Sequence, residues 1–368
     1  MKKSLLALAV LGAFAGVASA QSSVTIYGVI DLGIQKTNGG TATNPGVVQG
    51  FAGKAYHERQ STPSRLGFRG NEDLGGGLSA QFQIEHRFEP DTSQLTNPAT
   101  FWQGRTYVQL TSAQLGSVYL GREYAPSFWV HVKADPFGEV GVGNASSGLA
   151  AGFNQFDLAT APVAPLVQAP VVRTSNTVGY KSPSFSGLTA QIAGSLSEAS
   201  GTGRQYGGNV EYLQGPIWAS AGYDKRTRQT AVGPVVGSNG FPANPGLVVG
   251  NNNSLANIAA AYDFGFVRPV VYYARSKTGL NGNFTNNVWM VGATAPLVGG
   301  KVKAMYYRLD LSDAPGALNV NNNDQKKLGL GYDYPLSKRT NLYADVGYAR
   351  EQTRSTNKAG AFGITHTF

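Results

Sequence analysis

Residues 359–368, AGAFGITHTF, end the chain on an aromatic in the middle of what reads as a strand. Phe362, Ile364, His366 and Phe368 fall on one face, and Gly363, Thr365 and Thr367 on the other. Period-2 alternation of this kind marks a sheet with one apolar and one polar side. A chain seldom stops on Phe in mid-strand unless that strand is held by a neighbour. The same alternation recurs upstream. Val24, Ile26, Ile30, Leu32 and Ile34 oppose Thr25, Tyr27, Asp31 and Gly33, with Val29 the exception on the polar side. Ala80, Phe82, Ile84 and Phe88 oppose Ser79, Gln81, Gln83, Glu85 and Arg87. Leu342, Ala344, Val346 and Tyr348 oppose Asp345 and Gly347.

The connections alternate as well. Short turns are expected at 71–77, 112–116, 182–187, 214–216, 263–265, 296–300 and 335–340. Longer Gly/Asn/Pro-rich segments are expected at 37–60, 90–100, 125–172, 197–205, 227–253, 277–284, 312–325 and 351–357. Short turns alternating with long loops are the pattern of antiparallel strands that cross an outer membrane, with about sixteen crossings here. In hydrocarbon every backbone N–H and C=O must be paired, and a sheet achieves this only by closing on itself. The expectation is one all-β domain, a 16-stranded antiparallel transmembrane barrel, with both termini on the periplasmic side. At this strand number the interior holds water rather than side chains alone. Tyr27, Tyr119, Tyr180, Tyr212, Trp218, Tyr223, Tyr262, Tyr332, Tyr343 and Phe368 sit near strand ends or mid-strand, and several suit the aromatic girdles of such a wall. Val267 to Ala274 alternates poorly. Pro269 cannot donate to a ladder, which places it at a strand start near the periplasmic rim or at a bulge.

The other end of the chain agrees. Lys2 and Lys3 precede a short apolar run, and Ala18-Ser19-Ala20 is an A-x-A cleavage site. Residues 1–20 read as a secretory signal peptide and 21–368 as the barrel. Loss of Lys2 and Lys3 lowers the formal charge from +9 to +7. The chain has no Cys, so an exported fold without disulfides must hold itself by hydrogen bonds and packing. Only 14% of residues are charged and 48 are Gly, which suits alternating strands better than a soluble core built from apolar blocks. A soluble secreted β-sandwich fails on strand number and on the asymmetry of the loops.

Four segments carry a family resemblance: SVTIYGVID at 23–31, SRLGFRGNEDLGGGL at 64–78, GSVYLGR at 116–122 and AFGITHTF at 361–368. The mature chain resembles the general diffusion porins of β-proteobacteria, the Gram-negative outer-membrane type that includes neisserial and Burkholderia porins. The resemblance implies a homotrimer, passive flux of small hydrophilic solutes and ions, and a third external loop folded into the lumen as a constriction. That loop is 125–172, the longest connection. Its Asp135-Pro136-Phe137-Gly138-Glu139 is similar to the family's Pro-Glu-Phe-Gly-Gly motif, with Asp135-Pro136 in place of Pro-Glu and Glu139 in place of the second glycine. Phe368, by the same resemblance, belongs to the barrel-closure and assembly signal.

In a pore the chemistry is charge placement. Alternation turns Leu66 and Phe68 outward, and so Arg65 and Arg69 into the lumen. The same logic places Arg87 and Arg105 inside. Arg122 is included as a fifth member, although Val118 and Leu120 share its face. An arginine cluster opposite Asp135 and Glu139 gives a transverse field and a modest anion preference, because rings of Arg or Lys favour anions and guanidinium stays charged at every relevant pH. The alternative open at this point is that these arginines pair along the wall with Asp31, Glu72, Glu85 and Asp345. Nothing suggests an enzyme. His57, His86, His131 and His366 are scattered, with no H-E-x-x-H and no nucleophile elbow. A smaller barrel hydrolase would need a His with an Asp or Ser partner at the outer rim, and none is evident. No cofactor or metal is implied. Basic runs and recognition helices are absent, which argues against nucleic acid. The surplus positive charge belongs in the lumen, or near acidic lipid A groups of lipopolysaccharide on the outer leaflet.

Overall fold

The computed structural model describes residues 23–40, 42, 54–96, 100–145, 172–196, 204–227, 252–279, 283–311, 324–352 and 354–368. Residues 1–20, expected to be a signal peptide, and the second half of the segment 125–172 lie outside them. Sixteen long strands form the wall among the described residues. They are β1 Ser23–Thr37, β2 Ser64–Gly75, β3 Leu78–Glu89, β4 Thr106–Ser112, β5 Gly116–Tyr124, β6 Arg173–Lys181, β7 Leu188–Ser195 and β8 Arg204–Gln214. The second half comprises β9 Ile217–Thr227, β10 Asn252–Tyr262, β11 Arg268–Gly279, β12 Asn283–Leu297, β13 Gly300–Leu311, β14 Gln325–Pro335, β15 Thr340–Glu351 and β16 Arg354–Thr367. Each pairs antiparallel with the next, and β16 pairs with β1, so the sheet has no free edge. Two short pieces, Tyr56–Arg59 and Gln94–Leu95, extend the ladders of β1 and β3 inside the connections.

All seven expected short turns lie on one rim. The one between β2 and β3 runs through Gly75, Gly76 and Gly77 at φ of 82°, 60° and 79°, a left-handed run that side-chain-bearing residues resist. Pro269 is the second residue of β11, next to this rim, where a missing donor costs least. Two connections on the opposite rim are shorter than expected: at 277–284 the strands run to Gly279 and resume at Asn283, and the second is 351–357. Residues 351–357 do not form a long loop, because the strands run to Glu351 and resume at Arg354. This end of β16 is tied to the first external connection: the Lys358 backbone N–H donates to the Asn38 side-chain Oδ1 at 2.8 Å, and Asn357 Nδ2 donates to the Ala42 carbonyl at 3.0 Å.

The seam is offset from the simple picture of β16 lying along 24–34. β16 pairs with β1 from Val29↔Thr367 to Thr37↔Ala359, and the Gly28 and Phe368 backbones exchange two hydrogen bonds at 3.1 and 3.2 Å. Residues 23–27 pair with β2 alone. The Phe368 ring occupies the space where Gly28 lacks a Cβ. His366 Nδ1 meets Thr340 Oγ1 at 2.9 Å beside a short turn, at the expected rim.

Outward positions are apolar and bare: Ile26, Val108, Leu120, Ile192, Val210, Leu330, Val346 and Phe362 are all exposed. Of the expected girdle residues, Tyr180, Tyr223, Tyr262 and Phe368 face outward, whereas Tyr27, Tyr119, Trp218 and Tyr343 share the inward parity of Asp31, Glu123, Asp224 and Asp345. The inward face is not uniformly polar. From β9 to β13 it carries Trp218, Leu255, Ala259, Val270, Tyr272, Met290, Met305 and Tyr307, and these are buried beneath Val130, Ala134, Phe137 and Ala145 of the third external connection. An apolar inner wall is stable only if something covers it, and this segment does so.

Candidate functional site

The segment enters the lumen through helix α1, Pro126–Ala134. Pro126 opens it, which suits a first-turn position lacking a hydrogen-bond partner. Ala125 cannot cap it, so the wall does. Asp224 of β9 accepts the Ser127 N–H at 2.7 Å, and Asn257 of β10 donates to the Ser127 carbonyl at 2.9 Å. A carboxylate at a helix N-terminus satisfies an orphan donor and opposes the positive end of the dipole. Glycines on the wall let the backbone come close. A Cβ at Gly222 would meet Ser127 Cα at 2.9 Å and Val130 Cγ2 at 3.0 Å, and one at Gly329 would run into the Gly143 carbonyl. Pro136 lies over Gly292, and Phe137 lies over Gly331 with Lys303 Nζ 4.8 Å from its ring centre.

The motif 135–139 holds this segment together rather than facing ions. Asp135 is 5% exposed and accepts three backbone N–H bonds at 3.0 Å, from Phe137, Glu139 and Ala145. Glu139 stands at φ 67°, a left-handed conformation that fits its place at the family's glycine, and its Oε1 is turned onto His131 Nε2. Burial pushes the His131 imidazole down to about 3 and pushes the Glu139 carboxyl well above its usual range, with Asp135 adding to the latter; burial also raises Asp135. Both shifts run toward the uncharged forms, a neutral acid beside a neutral imidazole, which is the direction burial favours for titratable groups out of water. Gly138 is the exposed member of the motif. The expected negative side of a transverse field is thus corrected: both carboxyls face protein, because a segment seated on an apolar wall has no water to solvate them.

On the opposite wall Arg65, Arg69 and Arg87 lie on the inward face with Arg105 beside them, and Arg122 does not. Arg65 and Arg87 are direct cross-strand partners on the inward face. Glu85 lies between them, with Arg87 Nη2 at 2.5 Å and Arg65 Nε at 3.9 Å, and accepts a hydrogen bond from Tyr27 Oη at 3.2 Å. Arg105 forks onto Glu123, with Nε–Oε1 at 2.7 Å and Nη2–Oε2 at 2.5 Å, a bidentate geometry available to guanidinium and not to ammonium. Lys181 reaches the same carboxylate at 3.2 Å. Arg69 is exposed, 5.2 Å from the centre of the Tyr27 ring, and has no ion pair among the described residues. Arg122 is not in the lumen. It shares the outward parity of Val118 and Leu120 and bonds the Gln103 carbonyl at 3.1 Å and Ser175 Oγ at 3.0 Å. Its neighbour Glu123 takes the inward place.

Glu123 and Lys181 are lumen residues that the sequence reading missed. The parity that made Arg122 doubtful was the available signal, since Tyr119, Gly121 and Glu123 alternate against Val118, Leu120 and Arg122. The arginines do pair along the wall in part, with Glu85 and Glu123, while Glu72 shares the outward parity of Leu66 and Phe68 and Asp345 lies 3.4 Å from Lys303 instead. Around Glu85 and Glu123 the wall holds Arg65, Arg69, Arg87, Arg105 and Lys181, five charges against two; Glu89, at the end of β3 with the same parity, interacts with Arg59 and leaves this surplus unchanged.

The description "Gram-negative porin" matches residues 7–354. "Outer membrane porin protein 32" of Delftia acidovorans is 32% identical, covering 99% of this chain and 94% of that protein. "Major outer membrane protein P.IB" of Neisseria meningitidis serogroup B is 25% identical over the whole of both chains. Among solved structures, an anion-selective porin from Comamonas acidovorans superposes with a TM-score of 0.75 at 25% identity, covering 95% of this chain and all of that one.

Proposed function

This chain belongs to the Gram-negative porin family, and on that premise we propose that it forms a water-filled channel with an anion preference set by Arg65, Arg69, Arg87 and Arg105 with Lys181. It is an outer-membrane channel protein and not an enzyme. The observation that carries the anion preference is the surplus of three positive charges on one lumen wall, five cations against two carboxylates, facing a segment whose own acids are buried. In a pore, fixed cations of this kind concentrate anions at the narrow point. The related Comamonas protein is itself anion-selective.

The proposal extends to the parts around that wall. Residues 1–20 are removed on export and 21–368 form one barrel domain. The third external segment narrows the channel, with Pro136, Phe137 and Gly138 along its inserted edge and Asp135 and Glu139 holding it in shape. Three copies assemble as a homotrimer, embedded among outer-membrane lipid and lipopolysaccharide, and small ions and hydrophilic solutes pass by diffusion. Planar-bilayer recording on the purified trimer, under a KCl gradient, tests the reading. A reversal potential of the sign for chloride preference is expected. A monomer without conductance, or a cation-selective channel, refutes it.

A further inference from the structure

The outer face of β13–β16 carries a charge pattern that flux through the lumen does not use. Arg308, Lys326 and Arg350 share outward parity on three neighbouring strands, and Lys326 is the direct cross-strand partner of both others. Neighbouring strands lie only about 5 Å apart, and like charges set directly opposite each other cost stability. Arg308 is neutralised by Asp310 at 2.6 Å and Asp324 at 3.6 Å. Lys326 and Arg350 are exposed and have no ion pair among the described residues. The next two strands add Lys358 and Lys36, lying 5.9 Å from the Tyr348 ring centre and 4.2 Å from that of Tyr56. All these cations sit toward the ends of their strands on the rim away from the short turns.

Beside them the wall is hollow. A groove of about 720 Å³ runs between Leu328 and Leu330 of β14, Val346 and Tyr348 of β15, and Gly360 of β16, with Lys36, Lys54 and Lys358 at its edge. Gly360 leaves the floor open: a Cβ there would touch only Val346 Cγ1, at 4.0 Å. Apolar surface below and unneutralised cations above describe a site for an amphiphile with an anionic head. A second copy of this chain would bring its own positive surplus to the same face.

We propose that this groove binds the lipid A part of lipopolysaccharide, one acyl chain lying over Gly360 between Leu328 and Val346, and its phosphates meeting Lys326, Arg350, Lys358 and Lys36. The proposal rests on the outer-membrane reading above, which puts this rim outside, and gives the lipid partner a place. The cation row supplies the electrostatic attraction that basic residues exert on anionic lipid surfaces, and the groove supplies the chain contact that a headgroup alone lacks.

Native mass spectrometry of the purified trimer in detergent, titrated with bisphosphorylated lipid A and with its phosphate-free form, tests this. Lys326→Gln/Arg350→Gln/Lys358→Gln is expected to weaken binding of the bisphosphorylated lipid at least about tenfold and to leave the phosphate-free form unchanged. Gly360→Leu, which fills the groove floor, is expected to weaken both. Equal affinity of the natural protein for the two lipids, or unchanged affinity in both variants, overturns the site. Gly360→Cys in this cysteine-free chain adds a second arm: disulfide-linked subunits within the trimer would show the face covered by another copy, and would overturn it as well. Bilayer conductance on the same samples reports the channel reading separately, since none of these side chains points into the lumen.

Discussion

Replacing Arg65, Arg87 and Arg105 together by Ser removes three of the five cations on the charged wall and leaves Arg69 and Lys181 against Glu85 and Glu123. Its net charge falls from +3 to zero, or to +1 if Glu85, stripped of both guanidinium partners, takes up a proton. At about 10 Å from a charge, an ion in water gains about 0.4 kcal/mol. At 0.1 M salt that distance is one Debye length, which screens the gain to about 0.15 kcal/mol. Three net charges then enrich chloride about twofold and deplete potassium about twofold, an anion-to-cation permeability ratio of about five. The triple variant should show a ratio between about 1 and 2. Raising the salt to 1 M, where the Debye length is about 3 Å, should bring the natural protein close to the same value without mutation. The assay is reversal potential across a planar bilayer under a KCl gradient, with heat-modifiable trimer on SDS gels as the folding control. A folded triple variant with an unchanged ratio would refute the assignment of selectivity to this wall.

Other consequences can be measured in the same preparations. In the free segment Glu139 and His131 have ordinary values near 4.5 and 6.5, whereas docking favours the neutral acid and the neutral imidazole. Between those values docking exchanges no proton; below 4.5 the free segment binds more protons and above 6.5 fewer, so docking should be strongest at about pH 4.5–6.5 and weaken on both sides, read as flicker in single-channel records. Glu139→Gln should abolish the alkaline arm and keep the acid one; identical profiles would exclude the pair. Gly329→Val should push the Gly143 carbonyl off β14 and raise single-channel conductance, and an unchanged value would mean that the segment is held elsewhere. Deleting Phe368 removes two backbone hydrogen bonds and the ring that fills the space at Gly28, and should sharply lower the yield of heat-modifiable trimer.

Strand parity and turn spacing were legible because hydrocarbon outside and water inside impose opposite demands on alternate residues. The seven short turns, Pro269 at a strand start, and Arg65, Arg69, Arg87 and Arg105 inside all follow from that rule. Where a second protein surface replaces water, the rule loses its hold. The inner face of β9–β13 is apolar because α1 covers it, so Trp218 and Met290 point inward and carry no polar signature. Arg122 was misplaced because its charge outweighed its parity, and Glu123 was passed over for the same reason. The polar stretch 351–357 reads as loop until its partner, residues 38–42, is known, and that pairing spans most of the chain.

The inserted segment also bears on where selectivity can reside. A carboxylate held beside an apolar wall must be neutralised or saturated with donors, because burying an isolated charge is prohibitive. Asp135 is saturated by three amides, and burial against His131 favours the neutral form of Glu139, so neither presents a free charge to a passing ion. The guanidinium wall, by contrast, is wet in part: Arg65 is 30% exposed and Arg69 more so, while Arg87 is buried against Glu85. Fixing the segment tightly and having it carry field are therefore competing demands on the same five residues. In this chain rigidity has been met in the loop and charge in the strands, so substitutions at 135–139 should alter conductance and gating, while substitutions on β2–β6 alter ion preference.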